Sequence, residues 1–249
     1  MNAMISMSFP QVQAFCPEHK VHMVQAGPNQ ICPECAKNNV NQNNRERQKH
    51  VDQMVRELHF AGAMIPARHK DSGFRNYQAT HDGQSKALAN CVNFAKSMIV
   101  GHKRNLIMTG KTGTGKTHLS CATARTLLNK GIQVRYITSE DMANEIANAW
   151  KKPDDSESSA VYRFTDYDLL ILDEYGLHDR HENRLQLVHK VLYSRYDAGK
   201  ATMIVSNLTL AELQKDLGDR LWSRFQHDGL TVVECNWADQ RVGGGGGEG

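Results

Sequence analysis

The chain has 249 residues, 40% hydrophobic and 23% charged, with a formal net charge of +3. This is the composition of a globular chain with one large domain, or one domain and a small appendage. It holds no apolar run near the ~20 residues a membrane helix needs, and its near-balanced charge neither names nor excludes a nucleic-acid partner. The N-terminal stretch MNAMISMSFPQVQAF lacks a basic start followed by an apolar run, so no secretory signal is expected and the chain is placed in the cytoplasm.

Residues 1–15 have no clear periodicity. They are followed by CPEHKVHMVQAGPNQICPEC, residues 16–35, in which two short turns are separated by twelve residues. Cys16, His19, Cys32 and Cys35 have the spacing of a tetrahedral zinc site, since a two-residue gap lets both side chains of one turn face one ion. His22 is an alternative to His19. Four protein ligands leave no position for water, so the expected Zn²⁺ is structural. A segment of about 20 residues buries too little surface to fold unaided, and metal binding supplies the missing free energy. Cys91, Cys121 and Cys235 lie among apolar neighbours and read as reduced core residues.

Residues 36–44, AKNNVNQNN, read as a linker or a helix start. From Arg45 the pattern is helical, with Val51, Met54, Val55 and Leu58 on one face, and Gly62 and Pro66 end it. A loop, residues 67–80, leads into alternating helices and strands. The helix QSKALANCVNFAKSMI precedes strand RNLIMTG, then helix GKTHLSCATARTLLNKG and strand IQVRYIT. Next come helix SEDMANEIANAWKK, with Ser139 as its expected cap, the acidic loop PDDSESSA and strand DYDLLILDE. Helix ENRLQLVHKVLYSRYDAGK, strand ATMIVSN, one or two helices in TLAELQKDLGDRLWSRF and strand LTVVEC complete the series. Short apolar strands separated by helices indicate a parallel α/β sheet covered on both faces. The terminal GGGGGEG is expected to be a flexible tail.

GKTGTGKT, Gly110 to Thr117, follows a strand and opens a helix, the context a phosphate-binding loop requires. Its residues Gly110, Lys111, Thr112, Gly113, Thr114 and Gly115 can wrap so that backbone N–H groups face phosphate oxygens. Lys116 then reaches the β- and γ-phosphates, Thr117 offers its hydroxyl to Mg²⁺, and the helix N-terminus favours the anion. Strand LLILDE ends in Asp173, placed to hold Mg²⁺, and Glu174, placed to orient the attacking water. Asn207 ends another strand and is placed to bond the γ-phosphate or the water, although a turn-forming asparagine would show the same pattern. Arg220, Arg224 and Arg241 follow; each is a candidate partner for developing phosphoryl charge and each is also compatible with a plain surface arginine.

GKTGTGKTHL, LLILDEYG, IVSNL, LGDRLWSRF and NWADQR, in that order, resemble the AAA+ ATPases of the DnaC/IstB group, on the side of the replicative helicase loaders and their phage relatives. SGFRNYQAT also resembles the Phe-x-x-Tyr stretch that precedes the core in that group. The resemblance covers about residues 70–242. It implies an AAA+ P-loop core that binds and hydrolyses ATP, with Lys116, Thr117, Asp173 and Glu174 in the roles above, His118 as a further nucleotide-binding residue and Asn207 as sensor of the γ-phosphate. It further implies that Arg224 acts as an arginine finger on a neighbouring subunit and Arg241 as a second sensor in cis. With so few residues between those two arginines, little or no helical lid is expected. In such proteins ATP controls binding of single-stranded DNA, and the N-terminal region grips a hexameric replicative helicase. Trp150, Lys151 and Lys152 would suit single-stranded DNA, and also a partly buried tryptophan beside solvated lysines. The Cys/His segment resembles small zinc modules of some phage-encoded loaders.

The expected organisation is a zinc module in 1–40, a helical linker and docking helix in 41–66, the ATPase domain in 67–242 and the tail in 243–249. Two other functions fit the same residues. One is a transposition helper ATPase of the IstB kind; the other is an adaptor that binds ATP without hydrolysing it.

Overall fold

In the computed structural model, which describes residues 9–176 and 182–239, the chain forms two compact units, Met1–Val55 and Arg56–Gly249. The first opens with strands β1 (Gln11–Phe15), β2 (His22–Ala26) and β3 (Asn29–Ile31), an antiparallel sheet in that order. Sequence periodicity missed this sheet because its strands are three to five residues long and none of their residues is buried.

Helix α1 (Pro33–Gly62) starts well before Arg45, so the polar stretch 36–44 is helix rather than linker. Pro33 stands at the first helical position, where its missing N–H costs nothing. The helix ends at Gly62 as expected. None of its residues is buried, and the apolar face of Val51, Met54, Val55 and Leu58 is exposed throughout.

The second unit contains α2 (Asp82–Ile99), β4 (Asn105–Gly110), α3 (Lys116–Leu128), β5 (Val134–Thr138), α4 (Ser139–Ala147) and α5 (Glu157–Asp166). It continues with β6 (Leu169–Tyr175), α6 (Glu182–Asp197), β7 (Ala201–Ser206), α7 (Leu210–His227) and β8 (Leu230–Cys235). The five strands form one sheet in the order β5-β6-β7-β4-β8, every adjacent pair parallel. Alternate residues of each strand enter different cores. Leu106 and Met108 of β4 pack with α2 and α3, while Ile107 packs with residues of α4, α5, α6 and α7. Both faces are therefore covered, as continuous apolar strands demand. Cys91, Cys121 and Cys235 are fully buried, and burial pushes their thiols up to about 12.

Four details differ from, or resolve, the sequence reading. The cap of α4 is Thr138, whose hydroxyl accepts the Asp141 N–H at 3.1 Å; Ser139 is already helical. The acidic, serine-rich segment opens α5, capped by Ser156, which accepts the Ser159 N–H at 3.1 Å. A tryptophan-bearing 3₁₀ turn, Ala149–Lys151, replaces the last turns expected of α4. Helix α7 is two helices joined at a kink, where Gly218 has φ 72° and ψ 159°. After β8 no further helix occurs among the described residues.

Arg195 of α6 is fully buried. Its guanidinium donates to the carbonyls of Phe164 (2.6 Å), Thr165 (3.2 Å), Tyr167 (2.9 Å) and Ala201 and to the Thr202 hydroxyl (3.0 Å). Two of those carbonyls are orphaned acceptors in the last turn of α5, where a cation is also favoured by the helix dipole. Burial draws the pKa of Arg195 down to about 9. The residue ties α5, α6 and β7 into the frame that holds β6 in place.

Candidate nucleotide site and candidate metal centre

Strand order builds the first site. β7 lies between β4, which leads into the phosphate loop, and β6, which ends in the acid pair. All three C-terminal ends therefore open on one edge, where parallel α/β sheets bind ligands. A cleft of about 310 Å³ at that edge is lined by Thr112 to His118, Asp173, Glu174, Ser206, Asn207 and His69. Of the residues singled out for nucleotide chemistry, Lys116, Thr117, Asp173, Glu174 and Asn207 all meet there.

The loop needs its glycines. At Gly110, with φ 137°, a Cβ would run into the backbone carbonyl of Cys235, and Gly115, at φ 85°, has the Tyr77 ring 3.0 Å from where a Cβ would stand. Lys116 is buried, and its ammonium donates to the carbonyls of Gly110 (2.6 Å) and Lys111 (2.8 Å) and to Asn207 Oδ1 (2.9 Å). Thr114 Oγ1 donates to Lys111 O at 2.9 Å, tightening the turn. Thr117 Oγ1 donates to Asp173 Oδ2 at 3.1 Å. A hydroxyl and a carboxylate this close offer the hard oxygen donors that suit Mg²⁺.

Glu174 has φ 57°, a left-handed backbone uncommon for a residue with a side chain. The β6–β7 register shifts between Leu172 and Tyr175, the mark of a bulge. In a sheet covered on both faces, strict alternation would press Glu174 under a helix. The bulge turns it into the cleft, where it is exposed.

Several contacts that build the site have no signature in the sequence. The Trp237 indole N–H donates to Thr114 O at 3.0 Å, so the strap after β8 is bonded to the loop. A ring nitrogen of His118 lies 3.0 Å from Gly73 O, and its ring packs at a tilt of 59° with its centroid 5.4 Å from that of Tyr77. That anchors the Phe-x-x-Tyr segment on the first turn of α3. Tyr136 bonds Asp173 through its hydroxyl. Sequence offers no signal for such contacts, because each joins residues far apart in the chain.

Arg224 does not line the cleft. Its guanidinium lies between the rings of Tyr193 (4.8 Å) and Tyr196 (4.7 Å) and 3.4 Å from Asp197 Oδ1. Arg220 is exposed on α7. Arg241 and the tail 243–249 fall outside the described residues. Trp150 is 71% exposed with Lys151 Nζ 5.9 Å from its ring, and Lys152 is exposed beside them.

The second site is in the first unit. Cys16, His19, Cys32 and Cys35 offer one ligand atom each, all within 4.8 Å of one another. A tetrahedral zinc site with bonds of ~2.3 Å to sulfur and ~2.0–2.1 Å to nitrogen has edges of about 3.8 Å between sulfurs and about 3.6 Å from sulfur to nitrogen. Here Cys16 and Cys35 Sγ are 3.7 Å apart, and His19 Nδ1 is 3.7, 3.3 and 3.8 Å from Cys16, Cys35 and Cys32. The donor set fits the ion. It is His19 that joins the cluster; His22 instead places Nδ1 3.0 Å from Val12 O. The Asn38 carboxamide stands 3.2 Å from His19 Nε2 and orients the ring. Cys32 Sγ accepts the Cys35 N–H at 3.5 Å at the start of α1. The His19 backbone N–H holds the Cys16 thiol down to about 6, whereas desolvation pushes Cys35 up to about 12.

A family described as IstB-like ATP binding protein matches residues 39–232. The replicative helicase loader DnaC of Escherichia coli (strain K12) is 27% identical over 196 residues, 79% of each chain. The uncharacterized protein YdaV of the same strain is 29% identical over 201 residues, 80% of this chain and 77% of that one. A crystal structure of the DnaC helicase loader superposes with a TM-score of 0.60 at 21% identity, covering 68% of this chain and 98% of that one, and so shares the fold. The family match takes in the phosphate loop, the acid pair and Asn207 but begins after Cys35; on that match, the chain belongs to the IstB-like ATP-binding protein family.

Proposed function

We propose that this protein is an ATP-driven helicase loader, which binds a hexameric replicative helicase through its N-terminal region and helps place it on single-stranded DNA. The observation that supports this most is the meeting of loop, acid pair and Asn207 in one cleft, in a chain 27% identical to DnaC. ATP would lie with its phosphates on residues 110–117, replacing the carbonyls that now hold Lys116. Mg²⁺, held by Thr117 and Asp173, would neutralise charge on the phosphates. Glu174 would orient and polarise the attacking water, and Asn207 would bond the γ-phosphate. Arg224 would act on the nucleotide of a neighbouring copy, its stacking between two tyrosines limiting the rotamers it must lose. Arg241 would act in cis.

Zn²⁺ would close the fold of residues 16–35 and make it a rigid knob. The knob and the exposed apolar face of α1 are the docking surface of this reading, because an unpartnered stripe of valine, methionine and leucine favours a protein partner. Trp150, Lys151 and Lys152 are its candidate contacts with single-stranded DNA. The protein would work in the cytoplasm, and no helix among the described residues is long and apolar enough to cross a membrane.

The family description favours a second reading, a transposition helper ATPase. Capture separates the two. The full chain is expected to co-purify with a hexameric replicative helicase, and the chain lacking residues 1–65 is not. Equal capture by both would move the docking site into the ATPase unit; capture by neither would favour the transposition reading.

A further inference from the structure

Asp173 is 5% exposed, and a buried carboxylate is tolerated only when its oxygens are bonded. Oδ1 accepts the Glu174 N–H at 2.8 Å. Oδ2 accepts two hydroxyls, that of Thr117 at 3.1 Å and that of Tyr136. These two donors differ. Thr117 lines the cleft, at the first turn of α3, and its hydroxyl is the one expected to turn to a cation. Tyr136 stands outside the cleft lining, on β5, buried among core side chains.

The register explains why a tyrosine is needed. Thr138 pairs with Asp173, and Tyr136 pairs with Ile171, two residues earlier. To reach the carboxylate from there a side chain must span about 7 Å along the sheet. A tyrosine does so and ends in a donor; a phenylalanine would fill the same core volume without one.

The geometry points to Tyr136 as a positioning residue for the divalent cation of the nucleotide site. It holds the Asp173 carboxylate from behind, in one orientation, both when the site is empty and after Thr117 has turned away. This inference rests on the reading of Asp173 as the Mg²⁺ acid. Hydrogen-bond partners of metal-binding carboxylates typically set metal affinity by about 10–100-fold, and among the described residues Tyr136 is the donor that remains on Oδ2 once Thr117 leaves.

The test uses the full chain, a fluorescent ATP analogue and a Mg²⁺ titration. Tyr136→Phe is expected to raise the Mg²⁺ concentration at half-saturation by about tenfold or more, with analogue binding in EDTA unchanged. Asp173→Asn, titrated alongside, tests the parent reading. If it leaves the Mg²⁺ dependence intact, Asp173 does not serve the cation and the inference falls with that reading. If Asp173→Asn abolishes the dependence while Tyr136→Phe reproduces the wild-type curve, the inference alone is overturned. A lowered Tm for Tyr136→Phe with an unchanged Mg²⁺ curve would likewise assign the tyrosine to packing only.

Discussion

Glu174→Gln is expected to lower ATP turnover by about 10²–10⁴-fold, the range typical of a lost general base, while nucleotide binding persists. The amide preserves shape and can still bond a water, but it cannot accept the proton. The backbone argues for this role independently of sequence likeness. A non-glycine residue at φ 57° inside a bulge is held there at an energetic cost, and what it achieves is exposure of one carboxylate in the cleft. Lys116 and Thr117, which meet the phosphates directly, are unchanged in this variant, so binding of the analogue should match wild type. A steady-state phosphate-release assay with single-stranded DNA present reads turnover, and a titration with the fluorescent ATP analogue reads binding. If the wild type releases no phosphate under those conditions, ATP is only an assembly ligand and the adaptor reading takes over.

Metal removal is expected to unfold the N-terminal module outright. Among described residues 9–35 only Cys16 and Cys32 are buried, so the ligands themselves form what core the three strands possess. No apolar side chain there substitutes for them; Phe9 and Phe15 are both exposed. Structural zinc in comparably small peptides contributes about 10–16 kcal/mol, far more than such a sheet could supply by burial. Cys32→Ser, or a strong chelator, should therefore expose residues 9–35 to limited proteolysis while the thermal transition of the ATPase unit stays in place. Metal analysis of the wild type should return one zinc per chain. Continued protection of the module with no metal bound would show that the cluster is not what holds it together.

Each site has parts that a local stretch of sequence conveys and parts that it does not. A phosphate loop works through backbone N–H groups in one short stretch, so its glycines and Lys116 announce it locally, and the ligand spacing of Cys16, His19, Cys32 and Cys35 does the same for the metal centre. Strand order is a property of the sheet. That β7 lies between β4 and β6, and thereby puts Asn207 against Lys116, follows from pairing that no local pattern encodes. Arg195 and Tyr136 belong to the same class, because their partners sit 6 to 37 positions away and are mostly backbone or carboxylate atoms. Helix α5 was hidden by its own cap: serine and aspartate favour turns as well as helix starts, and only packing of Val161 and Phe164 decides between them. Between His19 and His22, it is His19 whose ring nitrogen lies within 4.8 Å of the three sulfurs, while His22 opens β2 with Nδ1 3.0 Å from Val12 O.

Loading itself is the most direct measurement. A hexameric replicative helicase is mixed with closed circular single-stranded DNA, which offers no end to thread, and the helicase retained on the circles is measured by sedimentation with and without this protein and ATP. The account predicts that retention rises when protein and ATP are both present and falls back when Lys116 is replaced by alanine. Retention that is the same with and without the protein would contradict it.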